Sequence, residues 1–189
     1  MADAGRVIAG SAAGLRLEAP GATTRPLADR VKQTLFAILE PDLPGARFLD
    51  LFAGSGAGGI EALSRGAALT VFVERDAAAA RTIERNVQRT RVGPSRIVRT
   101  DVPSYLGDAA DTFDIVLVDP PYAEVELLAR VLKAVGRIVR PGGRVVAKHF
   151  WRDKPPGRIG LLASERERRF GETALTFYRR DPAEEGEGE

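Results

Sequence analysis

Residues 47–61 read RFLDLFAGSGAGGIE, in which an apolar run is followed by a glycine-rich loop and a second apolar segment. The apolar run at 47–52 predicts a buried β-strand, and a helix is predicted near 57–66. Gly54 and Gly56 in the intervening loop let the backbone approach a ligand and adopt conformations closed to other residues. Ligands of open α/β sheets bind beyond the carboxyl ends of the strands, so this loop predicts a binding site.

Strand-like and helix-like runs alternate along the rest of the chain. Further strands are predicted near 69–74, 96–99, 113–118 and 143–149, and further helices near 76–91 and 124–139. Short apolar strands separated by helices indicate a parallel sheet covered on both faces. The runs at 159–166 and 172–179 leave no room for a helix between them, which predicts an antiparallel hairpin at the sheet edge.

The segment before the first core strand forms an extension. Residues 6–9 and 14–17 resemble two short strands of a hairpin, and a helix is predicted to open at Pro26 and to end before Pro41. We therefore expect the α/β class, with a doubly wound, mostly parallel sheet in a single domain over residues 1–180. Within that domain the N-terminal β-hairpin and helix extension would occupy residues 1–45.

Composition excludes several kinds of chemistry. The 189 residues contain no cysteine, which rules out disulfides, thiolate metal sites and a cysteine nucleophile. His149 is the single histidine, so no site can hold several histidine ligands, and we expect no metal. The N-terminus is too polar for a signal peptide and no apolar run could cross a bilayer, so we expect a cytoplasmic, non-membrane protein and a monomer.

Charge is distributed unevenly along the chain. Residues 1–180 carry 28 basic and 21 acidic side chains, whereas residues 181–189 carry five acids and no base. A basic body suggests a polyanionic partner, with an ordinary solvated surface as the alternative. The acidic tail lacks apolar residues and is predicted to be disordered.

The glycine loop by itself fits two cofactors. Gly54, Gly56 and Gly59 satisfy the dinucleotide pattern G-x-G-x-x-G, in which Glu74 would be the ribose-binding acid. Asp50 favours S-adenosylmethionine, because a carboxylate four residues before the first glycine suits the cationic end of methionine and would repel a pyrophosphate. Glu74 and Asp101 follow the next two strands, where ribose and adenine would lie.

The motif Asp119-Pro120-Pro121-Tyr122 follows the strand at 113–118 directly. Two prolines cannot continue a strand, so the chain must leave the sheet as a rigid loop at its carboxyl edge. The Asp119 side chain and the Pro120 carbonyl can accept hydrogen bonds from an exocyclic aromatic amine, and Tyr122 can stack on the base. The pattern therefore predicts methyl transfer to such an amine.

These segments resemble the bacterial small-subunit (16S) rRNA guanine-N2 methyltransferases. The resemblance runs from about Arg6 to Tyr178, and the stretch from Arg25 to Leu39 is the most family-specific. The resemblance is carried by the segments RVIAGSAAGLRL, RPLADRVKQTLFAIL, LDLFAGSGAGGIEALSRGA, DPPY and FGETALTFY. It implies a seven-stranded methyltransferase fold and methylation of a guanine 2-amino group, in 16S rRNA or a partly assembled small subunit. Lys148 departs from the family, whose members often have glutamate there.

Site residues follow from the motifs and from this resemblance together. The catalytic set is Asp119, Pro120, Pro121 and Tyr122. The set for S-adenosylmethionine is Asp50, Ala53, Gly54, Ser55, Gly56, Glu74, Arg75, Asp101 and Val102. The RNA-binding set is Arg6, Arg16, Arg25, Arg30 and Lys32, as candidates for phosphate contacts. A charged hairpin is the alternative to RNA binding for Arg166, Arg168 and Arg169, and His149 and Trp151 are expected to pack.

Other functions fit parts of the pattern. An adenine-N6 methyltransferase of DNA or RNA, or a protein glutamine-N5 methyltransferase, would use the same loops, although such enzymes usually carry asparagine in place of Asp119. A nicotinamide-dependent reductase would use the glycine loop alone. An RNA-binding protein without catalytic activity would explain the charge.

Overall fold

The computed structural model describes residues 3–21 and 28–182. Its elements, in chain order, are β1 (Asp3–Arg6), β2 (Arg16–Glu18), α1 (Asp29–Leu39), β3 (Arg47–Leu51), α2 (Ala57–Ser64), β4 (Leu69–Val73), α3 (Ala77–Thr90), β5 (Ser95–Val98), α4 (Val102–Asp108), β6 (Phe113–Val118), α5 (Val125–Val135), β7 (Val139–Phe150), β8 (Arg158–Ile159), β9 (Leu162–Phe170) and β10 (Thr173–Arg180). Among these helices, none has the length and apolarity needed to span a membrane.

In the described part of the chain, the main sheet has the strand order β5-β4-β3-β6-β7-β10-β9-β8. Strands β3 to β7 are parallel to one another, and β10 runs antiparallel between β7 and β9. The predicted α/β fold, with its mostly parallel sheet and C-terminal antiparallel hairpin, is confirmed. The seven expected strands are present, and the two-residue β8 adds a short eighth strand at the edge.

Two apolar layers cover the sheet, one on each face. The first packs α1, α2, α3 and the β1–β2 ribbon against the sheet around Phe36, Ile60 and Phe72. The second packs α4 and α5 around Leu106 and Leu132. Helices on both faces explain why the core strands contain continuous apolar runs instead of alternating ones.

Two segments near the C-terminal half differ from the prediction. The helix predicted over 124–139 ends at Val135, because Val139 pairs with Phe113 and already belongs to β7. Helix α4 was not predicted. It is only seven residues long, too short to show helical periodicity, and its signal is the cap, since Asp101 accepts a hydrogen bond from the Ser104 N–H at 2.9 Å.

The N-terminal hairpin is displaced from the strands predicted at 6–9 and 14–17, since β1 covers Asp3–Arg6 and β2 covers Arg16–Glu18. The backbone N–H groups of Ile8 and Ala9 donate to the Glu61 carboxylate on α2 at 2.7 and 3.0 Å, so they do not pair with a strand. Gly10 lets the chain pass over the end of α2, because a Cβ there would lie 1.7 Å from the Ser64 carbonyl oxygen. The ribbon is therefore fastened to the sheet domain through α2.

The position of Lys32 contradicts its predicted role in RNA binding. Its side chain and that of Glu61 are both 0% exposed, with Lys32 Nζ 3.6 Å from Glu61 Oε2. The ammonium also donates to the Arg6 carbonyl, and burial lowers the Lys32 pKa. Lys32 thus holds the ribbon and α1 against α2. It cannot contact a phosphate from this position, because no part of its side chain reaches solvent.

We predict that Glu61→Gln destabilises the protein more than Lys32→Met. Glu61→Gln leaves a buried ammonium without its anionic partner, and losing one member of a buried pair costs about 3–5 kcal/mol. Lys32→Met leaves Glu61 bound to Arg65 at 2.8 Å and to two backbone N–H groups, so the loss should be smaller. Urea unfolding followed by circular dichroism measures both, and equal losses would contradict this account of the pair.

Candidate active site

The loop after β3 is bent sharply at the carboxyl edge of the sheet. Phe52 has φ +64°, a conformation that costs a non-glycine residue energy, and Gly54 follows at φ +57°. Two backbone donors secure the bend, since Ala53 N–H bonds the Val73 carbonyl at 3.1 Å and Gly54 N–H bonds a Glu74 carboxylate oxygen at 2.8 Å. The loop is thereby tied to the end of β4.

Gly56 has a structural role at the start of α2. It precedes α2 with φ +78°, and its N–H donates to the Ala53 carbonyl at 2.7 Å. A Cβ at Gly56 would lie 3.1 Å from Ile83 on α3. Gly56 is not among the residues that line the cleft at this edge, so its role in the structure is to shape the loop, and its contact with a cofactor stays a prediction.

Asp50 is the buried acid of the site. Asp50 is 2% exposed, and its carboxylate accepts the Gly59 N–H near the start of α2 at 2.8 Å. Within residues 3–21 and 28–182 it has no salt-bridge partner. Burial raises the pKa of Asp50 to about 8, the Gly59 hydrogen bond opposes that rise, and the charges of Asp119 and Glu74 add to it. A cationic ligand would supply the missing countercharge.

Two more acids follow the neighbouring strands. Glu74 binds the Gly54 N–H through one carboxylate oxygen and the Asp76 N–H through the other, both at 2.8 Å. Asp101 caps α4 through hydrogen bonds from the Ser104 N–H and hydroxyl, and these bonds lower its pKa. Both carboxylates keep further lone pairs for a ligand.

The Asp-Pro-Pro-Tyr loop lies beside the glycine loop because β6 pairs with β3. Asp119 N–H bonds the Leu51 carbonyl at 3.4 Å, which joins the ends of the two strands. The Pro121 carbonyl accepts the Glu124 N–H at 2.9 Å, whereas no donor from the described residues bonds the Pro120 carbonyl. An acceptor therefore remains available at the start of the loop.

Lys148 completes this side of the site, although the sequence left its role open. Its Nζ lies 2.6 Å from Asp119 Oδ1 and 5.2 Å from the centroid of the Tyr122 ring. The Tyr122 hydroxyl bonds the Thr173 hydroxyl at 2.6 Å, so the ring is held at its hydroxyl and on one face. One lysine thus balances the Asp119 charge and packs on the aromatic face.

One cleft of about 1180 Å³ joins the two loops. Of the predicted residues it is lined by Asp50, Ala53, Gly54, Ser55, Glu74, Arg75, Asp101, Val102, Asp119, Pro120, Pro121 and Tyr122. Residues that the sequence did not single out also line it, including Phe52, Pro103, Arg130, Glu172 and Thr173. Phe52 and Pro103 are next to predicted site residues in the sequence, so the motifs could have identified them. Glu172 and Thr173 enter only because β10 pairs with β7.

The remaining predicted residues lie elsewhere. Arg6 is 3.4 Å from Asp29, and Arg16 is 2.5 Å from Asp3, with side chains 60% and 75% exposed. Arg30 is exposed on α1, and Arg25 lies outside the described residues.

His149 is buried as expected, with Nε2 2.8 Å from the Thr176 hydroxyl and Nδ1 2.8 Å from the Phe150 carbonyl. Both ring nitrogens therefore have partners within the protein. In the part of the chain that the structure describes, no group of three or more histidine and acidic side chains is arranged to hold a metal ion.

Comparison with known proteins identifies relatives of this chain. The family model described as conserved hypothetical protein 95 matches residues 5–179. The chain is 37% identical to "Putative rRNA methyltransferase YlbH" of Bacillus subtilis, over 93% of this chain and 98% of the relative. It is 41% identical to "Ribosomal RNA small subunit methyltransferase D" of Escherichia coli, over 62% of this chain and 60% of the relative.

A solved structure shares the fold. It is titled "Putative methyltransferase yhhF from Escherichia coli" and superposes with a TM-score of 0.82 at 32% identity, covering 94% of this chain and 98% of that one.

We predict a pH-dependent stability gain for Asp50→Asn. Because the folded pKa is about 8 against an ordinary value of 3.8, the folded protein keeps a proton that the unfolded chain releases, and this group lowers stability as pH rises between these values. The melting temperature of Asp50→Asn should exceed that of the wild type by an amount that grows between about pH 5 and pH 8.

Scanning calorimetry over this range measures the difference. Asp108→Asn, at the exposed end of α4, is the control and should track the wild type. A gap for Asp50→Asn that stays constant with pH would show that burial does not shift the Asp50 pKa.

Proposed function

The chain belongs to the rRNA methyltransferase family whose model is described as conserved hypothetical protein 95, and we propose that it uses S-adenosylmethionine to methylate the exocyclic 2-amino group of a guanine in small-subunit (16S) rRNA. A single observation carries the proposal. The buried Asp50 and the Asp119 loop line the same cleft, so a cationic methyl donor and an amine acceptor can be held side by side.

The residues of the cleft fit the cofactor. Asp50 offers a buried carboxylate without a cationic partner in the described chain, which suits the ammonium of the methionine moiety. The same charge disfavours a nicotinamide dinucleotide, because it occupies an N–H near the start of α2 where a pyrophosphate would bind. Glu74 suits the ribose hydroxyls, and Asp101 with Val102 suits the adenine. When bound, S-adenosylmethionine supplies an electrophilic methyl group on a sulfonium.

The Asp119 loop would orient the amine. Asp119 and the Pro120 carbonyl accept its N–H groups, which favours a pyramidal nitrogen whose lone pair faces the donor. Tyr122, held by Thr173 and Lys148, stacks on the base, an interaction worth roughly 1–3 kcal/mol. Positioning of this kind can lower the activation free energy by about 7–11 kcal/mol. No strong base is required, because an amine that has gained a methyl group and a positive charge loses its proton readily.

The choice of guanine N2 rests on the family. Asp119 stands where adenine-N6 and glutamine-N5 methyltransferases usually carry asparagine, and a relative 41% identical to this chain is named a small-subunit rRNA methyltransferase. We propose a cytoplasmic monomer, folded as one domain over residues 1–180, whose residues 1–45 face the RNA or a partly assembled subunit. Arg6, Arg16, Arg25 and Arg30 remain candidates for phosphate contacts.

Methyl transfer to small ribosomal subunits lacking this modification tests the proposal directly. With labelled S-adenosylmethionine, digestion to nucleosides should yield labelled N2-methylguanosine. Labelled N6-methyladenosine instead of N2-methylguanosine would show that the target base is adenine. Label in ribosomal protein and none in RNA would point to protein methylation and refute the RNA assignment.

We predict that Asp119→Ala lowers kcat by about 10²–10³, the usual cost of removing one fixed polar group that acts in the transition state. Its affinity for S-adenosylmethionine should stay within about twofold, because Asp119 is assigned to the amine. Single-turnover methylation and calorimetry measure the two quantities. Asp108→Ala removes an exposed carboxylate away from the cleft and should leave both unchanged. An Asp119→Ala enzyme with normal kcat would refute the role.

A further inference from the structure

Trp151 directly follows β7 and lies against two arginines. The Arg169 guanidinium carbon is 3.6 Å from the centroid of the indole ring, and that of Arg152 is 5.0 Å away. Arg169 Nε also donates to the Gly171 carbonyl at 2.9 Å, which fixes the guanidinium in the β9–β10 turn. We call Trp151, Arg152 and Arg169 the Trp151 surface.

The Trp151 surface adjoins the cleft. The Phe150 ring is 6.3 Å from Trp151 and 6.5 Å from Tyr122, so three aromatic rings lead from the Asp119 loop to the two arginines. The backbone N–H of Trp151 donates to the backbone carbonyl of Glu172, a residue that lines the cleft, at 3.0 Å. A polymer whose base occupies the Asp119 loop would therefore pass over this surface.

The charge of the surface suits a polyanion. Both arginines are exposed, and within residues 3–21 and 28–182 neither forms a salt bridge. The neighbouring Lys154, by contrast, is neutralised by Glu167 at 2.9 Å. The acids close by in sequence are Asp153, Glu167 and Glu172. Within the described residues none of them forms a salt bridge with either arginine, so both guanidinium groups keep their charge for a ligand beside the indole ring.

We propose that the Trp151 surface binds the unpaired RNA nucleotide beside the target guanine, an inference that rests on the proposed function. Unpaired bases stack on aromatic rings and on arginine planes, and arginine also pairs with phosphate. The Trp151 surface offers both kinds of contact at the cleft. Its role is to hold the strand next to the target guanine, which adds affinity for RNA without taking part in methyl transfer.

Trp151 is the only tryptophan in the chain, so its fluorescence reports on this surface alone. Titration of the wild type with a single-stranded oligouridylate should quench the emission as bases stack on the indole. Arg152→Gln and Arg169→Gln should each reduce the salt dependence of binding by about 0.7 in log K against log salt, the value for one phosphate contact on a single strand. The matched control is Arg137→Gln, which removes an exposed arginine at the opposite end of β7.

Methylation of undermodified subunits supplies the second readout. Trp151→Leu and Arg169→Gln should raise KM for the subunit about tenfold, in keeping with the loss of one stacked base, while kcat and the affinity for S-adenosylmethionine stay unchanged. Trp151→Tyr keeps an aromatic face and should remain within about threefold of the wild type. Melting temperatures identify any variant that fails to fold, and the Gln variants and Trp151→Tyr then carry the test.

The inference is overturned by emission that RNA does not alter, by an unchanged KM in Trp151→Leu and Arg169→Gln, or by an equal effect of Arg137→Gln. The fluorescence titration needs no methyl transfer. Quenching in a protein that methylates no guanine would therefore reject the proposed reaction and leave RNA binding at Trp151 in place.

Discussion

Parallel pairing of β3 with β6 places Asp50 opposite Leu117 and joins the strand ends through the Asp119 N–H and the Leu51 carbonyl. The carboxyl ends of parallel strands lie at the same edge of the sheet, so the glycine loop and the Asp-Pro-Pro-Tyr loop have to share one cleft. Every assignment made for the site depends on this neighbourhood. If another strand separated β3 from β6, a donor held by Asp50 and an amine held by Asp119 could not meet.

The site is built at a cost to stability. Asp50 is a buried carboxylate whose pKa is raised to about 8, and Phe52 adopts a left-handed backbone conformation beside it. Unfavourable features of this kind persist where the surrounding structure over-determines them. The two apolar layers on the faces of the sheet supply that support, with Leu49 and Phe48 of β3 fully buried on either side of the strand. A ligand that brings a positive charge relieves part of the cost.

The N-terminal segment is fastened by polar contacts as much as by apolar ones. Glu61 gathers Lys32, Arg65 and the N–H groups of two ribbon residues around a carboxylate that is 0% exposed. Satisfying a buried charge this fully leaves the ribbon and α1 little freedom to shift. The arginines that remain exposed there, Arg6 and Arg16, are presented by this rigid base, in keeping with the RNA-facing role proposed for residues 1–45.

Local pattern was sufficient to predict the alternation of strands and helices, the placement of both motif loops at one edge, and the antiparallel C-terminal hairpin, because apolar periodicity and proline report directly on local burial and strand ends. Only folding placed Lys32 in the core against Glu61, Lys148 beside Asp119 and Trp151 against two arginines. Each pairing joins residues brought together by strand or helix packing. A lysine or arginine looks the same in sequence whether it meets a carboxylate, a ring or water, so its partner is settled only when the chain folds.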